Sequence, residues 1–132
     1  MEILTPPEEI ISQAVINILK KHEEMNPEKF NKLLKGYKKR ILIKTDLYPI
    51  LLEFDDGKIK AHYVKETEKA DFSLFFYMET LLALAEGRLN AISAFLGGKI
   101  KLSPILKIFS VLKVYRILFP PITSKKKELG AV

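Results

Sequence analysis

Cysteine and tryptophan are absent from this chain of 132 residues, and histidine occurs only as His22 and His62. Without cysteine there is no disulfide, no thiol nucleophile and no thiolate metal site. Two imidazoles forty positions apart are too sparse for a zinc centre or a histidine-activated nucleophile, so no metal, cofactor or catalytic residue is expected. No uncharged apolar run reaches the eighteen or so residues of a membrane span. The longest apolar stretch, Ile105–Phe119, is interrupted by Lys107, Lys113 and Arg116. The opening MEILTPPEE lacks the basic and apolar regions of a secretory signal, which predicts a cytoplasmic protein. Acidic residues are also missing from one long stretch: between Arg88 and Lys127 there are nine Lys or Arg and no Asp or Glu. The overall charge is +6, but residues 1–66 carry +1 and residues 67–132 carry +5. Such a one-sign surface suits an anionic partner, nucleic acid and anionic lipid being the two obvious classes.

What is present is enough for one globular domain. Apolar residues make up 48% of the chain, which excludes intrinsic disorder. A chain of this length buries roughly two-thirds of its unfolded surface and needs no covalent staple. The expected division is a single domain over residues 1–122 and a polar, basic tail over 123–132.

Periodicity predicts the elements. Thr5 as N-cap, Pro6 at N1 and Glu8 at N3 predict a helix over 6–22, with Ile11, Val15, Ile18, Leu19 and His22 at helical spacing. Asn26-Pro27 starts a second helix, and Gly36 ends it. The period then falls to two. Strands are expected at 40–45, 47–54, 58–64 and 71–76, with Asp55-Asp56-Gly57 as a hairpin turn and short connections implying mostly antiparallel pairing. Helices are expected next at 77–86, closed by Gly87, and 90–96, capped by Asn90 and ended by Gly97-Gly98. A fifth strand spans 99–103, and a last helix runs over 104–118 until Pro120-Pro121 stops it. The fold class is therefore α+β.

Few motifs carry chemistry. GGKIKLS lacks the first glycine of a phosphate loop, because Ser93 stands there, and Ile100 replaces the required Ser or Thr. Asp55 and Asp56 are accounted for by the turn, and Glu79 suits a helix first turn. Asp71 and Glu86, the other carboxylates weighed for acid–base chemistry, are read as structural in the same way. His62 falls on the Lys58/Lys60 face of its strand and is expected to face solvent; His22, ending a helix, is expected to complement its dipole as a cation. No helix-turn-helix, aromatic RNA-binding motif or zinc site supports a nucleic-acid partner. The last helix is unusual in that only Lys107, Ser110, Lys113 and Arg116 break its apolar surface. Half its circumference is continuously apolar, which fits either an ordinary buried helix or one facing a ligand cavity or membrane.

The stretch KADFSLFFYMETLLALAEGRLNAISAFLGGKIKL resembles the core of the sterol carrier protein type-two domain family. The likeness rests on Ala70-Asp71, Leu81-Leu82, Gly87, Leu89-Asn90-Ala91, Ala94-Phe95 and Gly98-Lys99-Ile100-Lys101, and in element order it extends over about residues 8–118. Two departures stand out. Ser103-Pro104 comes after the Gly-Lys strand where the family has Gly-Asp or Gly-Asn, and the final Gly130-Ala131-Val132 differs from the Ser-Lys-Leu type of peroxisomal members.

The resemblance implies a five-stranded, largely antiparallel sheet covered by about five helices, with an apolar tunnel between them. It implies a non-catalytic protein that binds fatty acid, acyl-CoA or phospholipid. The alternative is an accessory subunit partnering a lipid or acyl-CoA enzyme. Tunnel-wall residues would be Leu81, Leu84, Phe95, Ile105, Phe109 and Leu112, and Lys125, Lys126 and Lys127 would dock the protein transiently on an anionic membrane surface.

Overall fold

The first helix starts later than its prolines suggest. A residue that precedes proline is driven out of the α region, so Pro6 cannot serve as a first helical residue ahead of Pro7. The helix α1 accordingly spans Ile10–Met25, not 6–22, with Glu9 as its N-cap in extended conformation. The Glu9 carboxylate accepts the Ser12 N–H at 2.6 Å. The computed structural model describes residues 1–4, 6–65, 68–89, 91–103, 113 and 116–118, excluding the side chains of residues 91, 92, 95 and 102. The expected caps Thr5 and Asn90 lie outside the described residues.

Local signals set the second helix and the hairpin. Asn26 caps α2 (Pro27–Leu34) with its side chain, proline occupies the first turn, and Gly36 ends the turn at φ 70°. The Gly36 N–H donates to Asp56 Oδ1 at 2.6 Å, tying the end of α2 to the tip of a hairpin. That hairpin joins β3 (Ile50–Asp55) to β4 (Lys58–Tyr63). Its two loop residues, Asp56 and Gly57, both have positive φ, 48° and 89°, as a tight primed turn requires.

Among the described residues the sheet has six strands in the order β1-β4-β3-β2-β5-β6, where β1 is Glu2–Ile3, β2 Lys38–Lys44, β5 Phe72–Phe75 and β6 Lys101–Ser103. Three of the five pairings are antiparallel. The pairing is thus mostly antiparallel, as expected, with two exceptions. The short β1 adds a parallel edge to β4, and β5 lies parallel to β2 because residues 64–71 carry the chain past two strands to the far side of β2. Asp71 fixes that return. Its N–H donates to the Arg40 carbonyl and its Oδ2 accepts the Arg40 N–H, both at 2.8 Å.

The two faces of the sheet differ. Ile41, Ile43, Ile50, Leu52, Phe72 and Leu74 are buried on the inner face, which α1 covers together with α3 (Met78–Ala85). The outer face carries a polar network in which Arg40 bonds to Glu53 and Glu68, and Glu53 accepts from His62 Nε2 at 3.2 Å. Leu42 and Leu51, opposite one another in register, are the buried exceptions there. A short α4 (Ala91–Leu96) leads into β6. Residues 113 and 116–118 are helical, within the span expected for the last helix, and Ile117 and Leu118 are buried in the core.

Candidate functional site

The interior between the inner sheet face and the helices is built from aliphatic and aromatic side chains, and its few polar groups therefore stand out. Helix α1 presents Ile11, Val15 and Leu19 to the sheet, and Ser12 lies on the same stripe. Alternation along β2 carries the inner face back from Ile43 and Ile41 to Tyr37. The Ser12 and Tyr37 hydroxyls are both buried and have no hydrogen-bond partner among the described residues. They sit at opposite ends of the sheet. The Tyr37 carbonyl accepts the Asp56 N–H of the hairpin turn, whereas Ile11, next to Ser12, donates to Tyr48 Oη at 3.2 Å beside the start of β3. The seven residues of β2 separate these ends by about 20 Å.

Tyr37 has a defined cage. The Phe54 ring meets it edge-on at 5.4 Å, and the Lys113 ammonium lies 5.1 Å from its ring centroid. Burial, assisted by the negative charge of Asp71, drives the phenol pKa well above its usual value.

His22 overturns an expectation. It is buried instead of serving as a helix-end cation at the surface, and its Nδ1–H donates to the Ile117 carbonyl at 2.8 Å. The Phe30 ring packs edge-on at 5.0 Å. Burial lowers the imidazole pKa below 6.5; the Ile117 carbonyl opposes that shift and nearby Lys29 adds to it. His62 sits on the outer face as expected, bridged to Glu53.

The carboxylates weighed as acid–base candidates have structural partners. Asp56 and Asp71 accept backbone N–H groups, and Glu86 pairs with Arg88. Glu79 lies in the first turn of α3. Among the described residues no cluster of His, Asp and Glu is placed to hold a metal ion. No helix among them is long and apolar enough to cross a membrane.

Of the residues expected to form a tunnel wall, Leu81 is buried in the core and Leu84 packs partly buried against it, both on α3. The Phe95 side chain, Ile105, Phe109, Leu112 and Lys125–Lys127 lie outside the described residues. Sequence reasoning missed Ser12 and Tyr37, although each had a signal. Ser12 precedes Val15, Ile16 and Leu19 by three, four and seven positions, and Tyr37 shares the parity of Ile41 and Ile43.

The fold recurs in solved structures. A crystal structure of sterol carrier protein 2 matches with a TM-score of 0.58 at 18% identity, over 81% of this chain and 91% of that one. The sterol carrier protein domain 2 of Helicoverpa armigera matches with 0.54 at 21%, over 85% and 93%. A structure described as UbiJ-SCP2, a ubiquinone synthesis protein, matches with 0.55 at 13%, over 82% and 92%. No curated protein matches the sequence. The model of the SCP-2 sterol transfer family matches residues 16–103, two-thirds of the sequence, and the chain therefore belongs to that family.

Proposed function

We infer that the protein is a non-catalytic lipid carrier that holds a fatty acyl or similar apolar ligand between the sheet and the helices. The observation that carries this reading is the polar inventory of the interior. A domain of a sterol transfer family buries two hydroxyls, Ser12 Oγ and Tyr37 Oη, that the described residues leave without partners. Such groups cost about 1–3 kcal/mol each unless something bonds to them. A lipid carbonyl or carboxylate is the right chemistry to do so.

The energetics require little. About a dozen methylenes leaving water gain roughly 10 kcal/mol at ~0.8 kcal/mol each. A bilayer offers nearly the same, so transfer needs only a comparably dry interior. Leu81, Leu84, Phe95, Ile105, Phe109 and Leu112 are the proposed wall, on apolar helix faces within or beside the family-like region.

Native mass spectrometry of the full chain, followed by organic extraction, tests whether lipid co-purifies. Displacement of dansyl-labelled undecanoic acid tests the wall. Phe109→Glu is expected to abolish binding while the circular-dichroism spectrum stays native; unchanged binding removes Phe109 from the wall.

A second reading, an accessory subunit of a lipid or acyl-CoA enzyme, draws on the fold shared with the ubiquinone synthesis protein. A lipid-free chain isolated in a stable complex with an enzyme would favour it.

A further inference from the structure

Four large apolar side chains stand between 57% and 59% exposed at one end of the sheet: Ile10, Leu47, Tyr63 and Tyr77. The register places them together. Ile43 pairs with Ile50, Ile50 with Tyr63, and Lys44 with Phe75, so β2, β4 and β5 all finish at this end. Contacts of their chain neighbours tie the segments that carry the four to this end of the sheet. The Tyr48 ring lies 5.7 Å from that of Tyr63, and its hydroxyl accepts the Ile11 N–H beside Ile10. Asp46 Oδ1 accepts the Met78 N–H at 2.7 Å, which ties the loop that carries Leu47 to the start of α3, where Tyr77 stands. Tyr77 in turn meets Phe75 edge-on at 5.6 Å.

We propose that this rim is a membrane-docking surface, with Ile10, Leu47, Tyr63 and Tyr77 entering the headgroup region of a zwitterionic bilayer. The proposed surface presupposes the lipid-carrying role and adds where the carrier meets its lipid source. Three observations select this occupant. An aromatic side chain presents roughly 150–250 Å² and Ile or Leu less, so these four, a little over half exposed, offer no more than about 600 Å², short of the ~800 Å² per partner in a stable protein interface. Among the described residues the flanking charges, Lys44, Lys65 and Lys101 against Glu8, Glu9, Asp46 and Glu79, leave no positive excess to attract an anionic surface. Tyrosine, with an apolar ring and a polar tip, is the residue that water–bilayer boundaries favour. The rim also borders the interior, because the buried Ser12 comes directly after Ile11.

Co-sedimentation of the full chain with phosphatidylcholine vesicles tests the proposal, with uptake of monomeric dansyl-labelled undecanoic acid measured in parallel. The wild type is expected to sediment equally at low and high salt. Leu47→Ser combined with Tyr77→Ser, and Tyr63→Ser alone, are expected to weaken partitioning about tenfold, with fatty-acid uptake retained. Met25→Ser, which removes an equally exposed side chain at the opposite end of α1, is expected to leave it unchanged. Wild-type protein left in the supernatant, variants that sediment normally, or equal loss from Met25→Ser would each overturn the docking surface. A wild type that sediments through the rim but takes up no fatty acid supports docking and removes the carrier role instead.

Discussion

His22 donates its Nδ1 proton to the carbonyl oxygen of Ile117, 2.8 Å away, across 95 positions of sequence. A buried carbonyl near the end of the chain is thereby satisfied by a side chain of the first helix. The bond fixes the tautomer, since a carbonyl only accepts and Nδ1 must carry the proton.

This pairing predicts a pH dependence. Burial holds the folded pKa of His22 below 6.5, so the unfolded chain binds the proton more readily. The stabilisation is complete above pH 6.5 and is lost as pH falls through the folded value, at up to about 1.4 kcal/mol per pH unit. Urea unfolding at pH 7.5 and 5.5 is expected to show this loss in the wild type. His22→Gln, which keeps a donor but does not titrate, should lose less over the same interval.

Tyr37→Phe separates stability from binding. The substitution keeps the edge contact with Phe54 and removes a buried hydroxyl that has no described partner. The ligand-free protein is expected to become more stable by about 1 kcal/mol. If the hydroxyl anchors a lipid head, affinity for dansyl-labelled undecanoic acid should fall severalfold in the same variant. Denaturant unfolding and fluorescence titration read the two effects independently.

What the sequence disclosed was local. Asp55-Asp56-Gly57, Asn26-Pro27 and Gly87 act on their own neighbourhoods, and each appears in the structure as a turn, a cap or a helix end. The period-two stretches became strands for the same reason, as did the Leu81 and Leu84 face of α3. What it left undisclosed were contacts made at a distance. A two-residue β1 has no sequence period, and exists because Glu2 and Leu4 donate to the Gly57 and Ile59 carbonyls. The parallel β2–β5 pairing depends on Asp71 meeting Arg40, which no local pattern encodes. The dipole of its own helix favours a cation at His22, whereas burial under residues distant in sequence decides its charge, the carbonyl of Ile117 only opposing that effect. Ser12 and Tyr37 were legible as inward-facing residues, but whether a hydroxyl finds a partner is settled only by packing.

Asp46 supplies another long-range contact with a measurable consequence. Tyr77 occupies the N-cap position of α3 without a side-chain cap, and Asp46, 32 positions before Met78, accepts the Met78 N–H in its place. Asp46→Ala is expected to cost about 1 kcal/mol, the usual value of a helix cap. Because the same bond ties the Leu47 loop to the start of α3, partitioning onto phosphatidylcholine vesicles should weaken as well. Asp46→Asn, which retains an acceptor, should restore most of both.

The basic stretch that ends in Lys125-Lys126-Lys127 predicts a second contribution to docking, distinct from the apolar rim. These lysines lie outside the described residues, and their expected role rests on charge alone. Residues 88–127 carry nine positive side chains and no negative one. Near an anionic leaflet each lysine contributes about 1 kcal/mol, fading over a Debye length of roughly 8–10 Å. Three together strengthen binding by up to about 3 kcal/mol, on the order of a hundredfold. Vesicles containing phosphatidylserine should therefore bind the wild type more tightly than pure phosphatidylcholine does, and added salt should erase the difference. Changing all three lysines to Gln should remove the anionic increment and leave binding to neutral vesicles as it was. Substituting Leu47 and Tyr77 should do the reverse, lowering binding to both vesicle types by the same factor. Loss of neutral-vesicle binding in the lysine variant would mean that the two contributions are not separable.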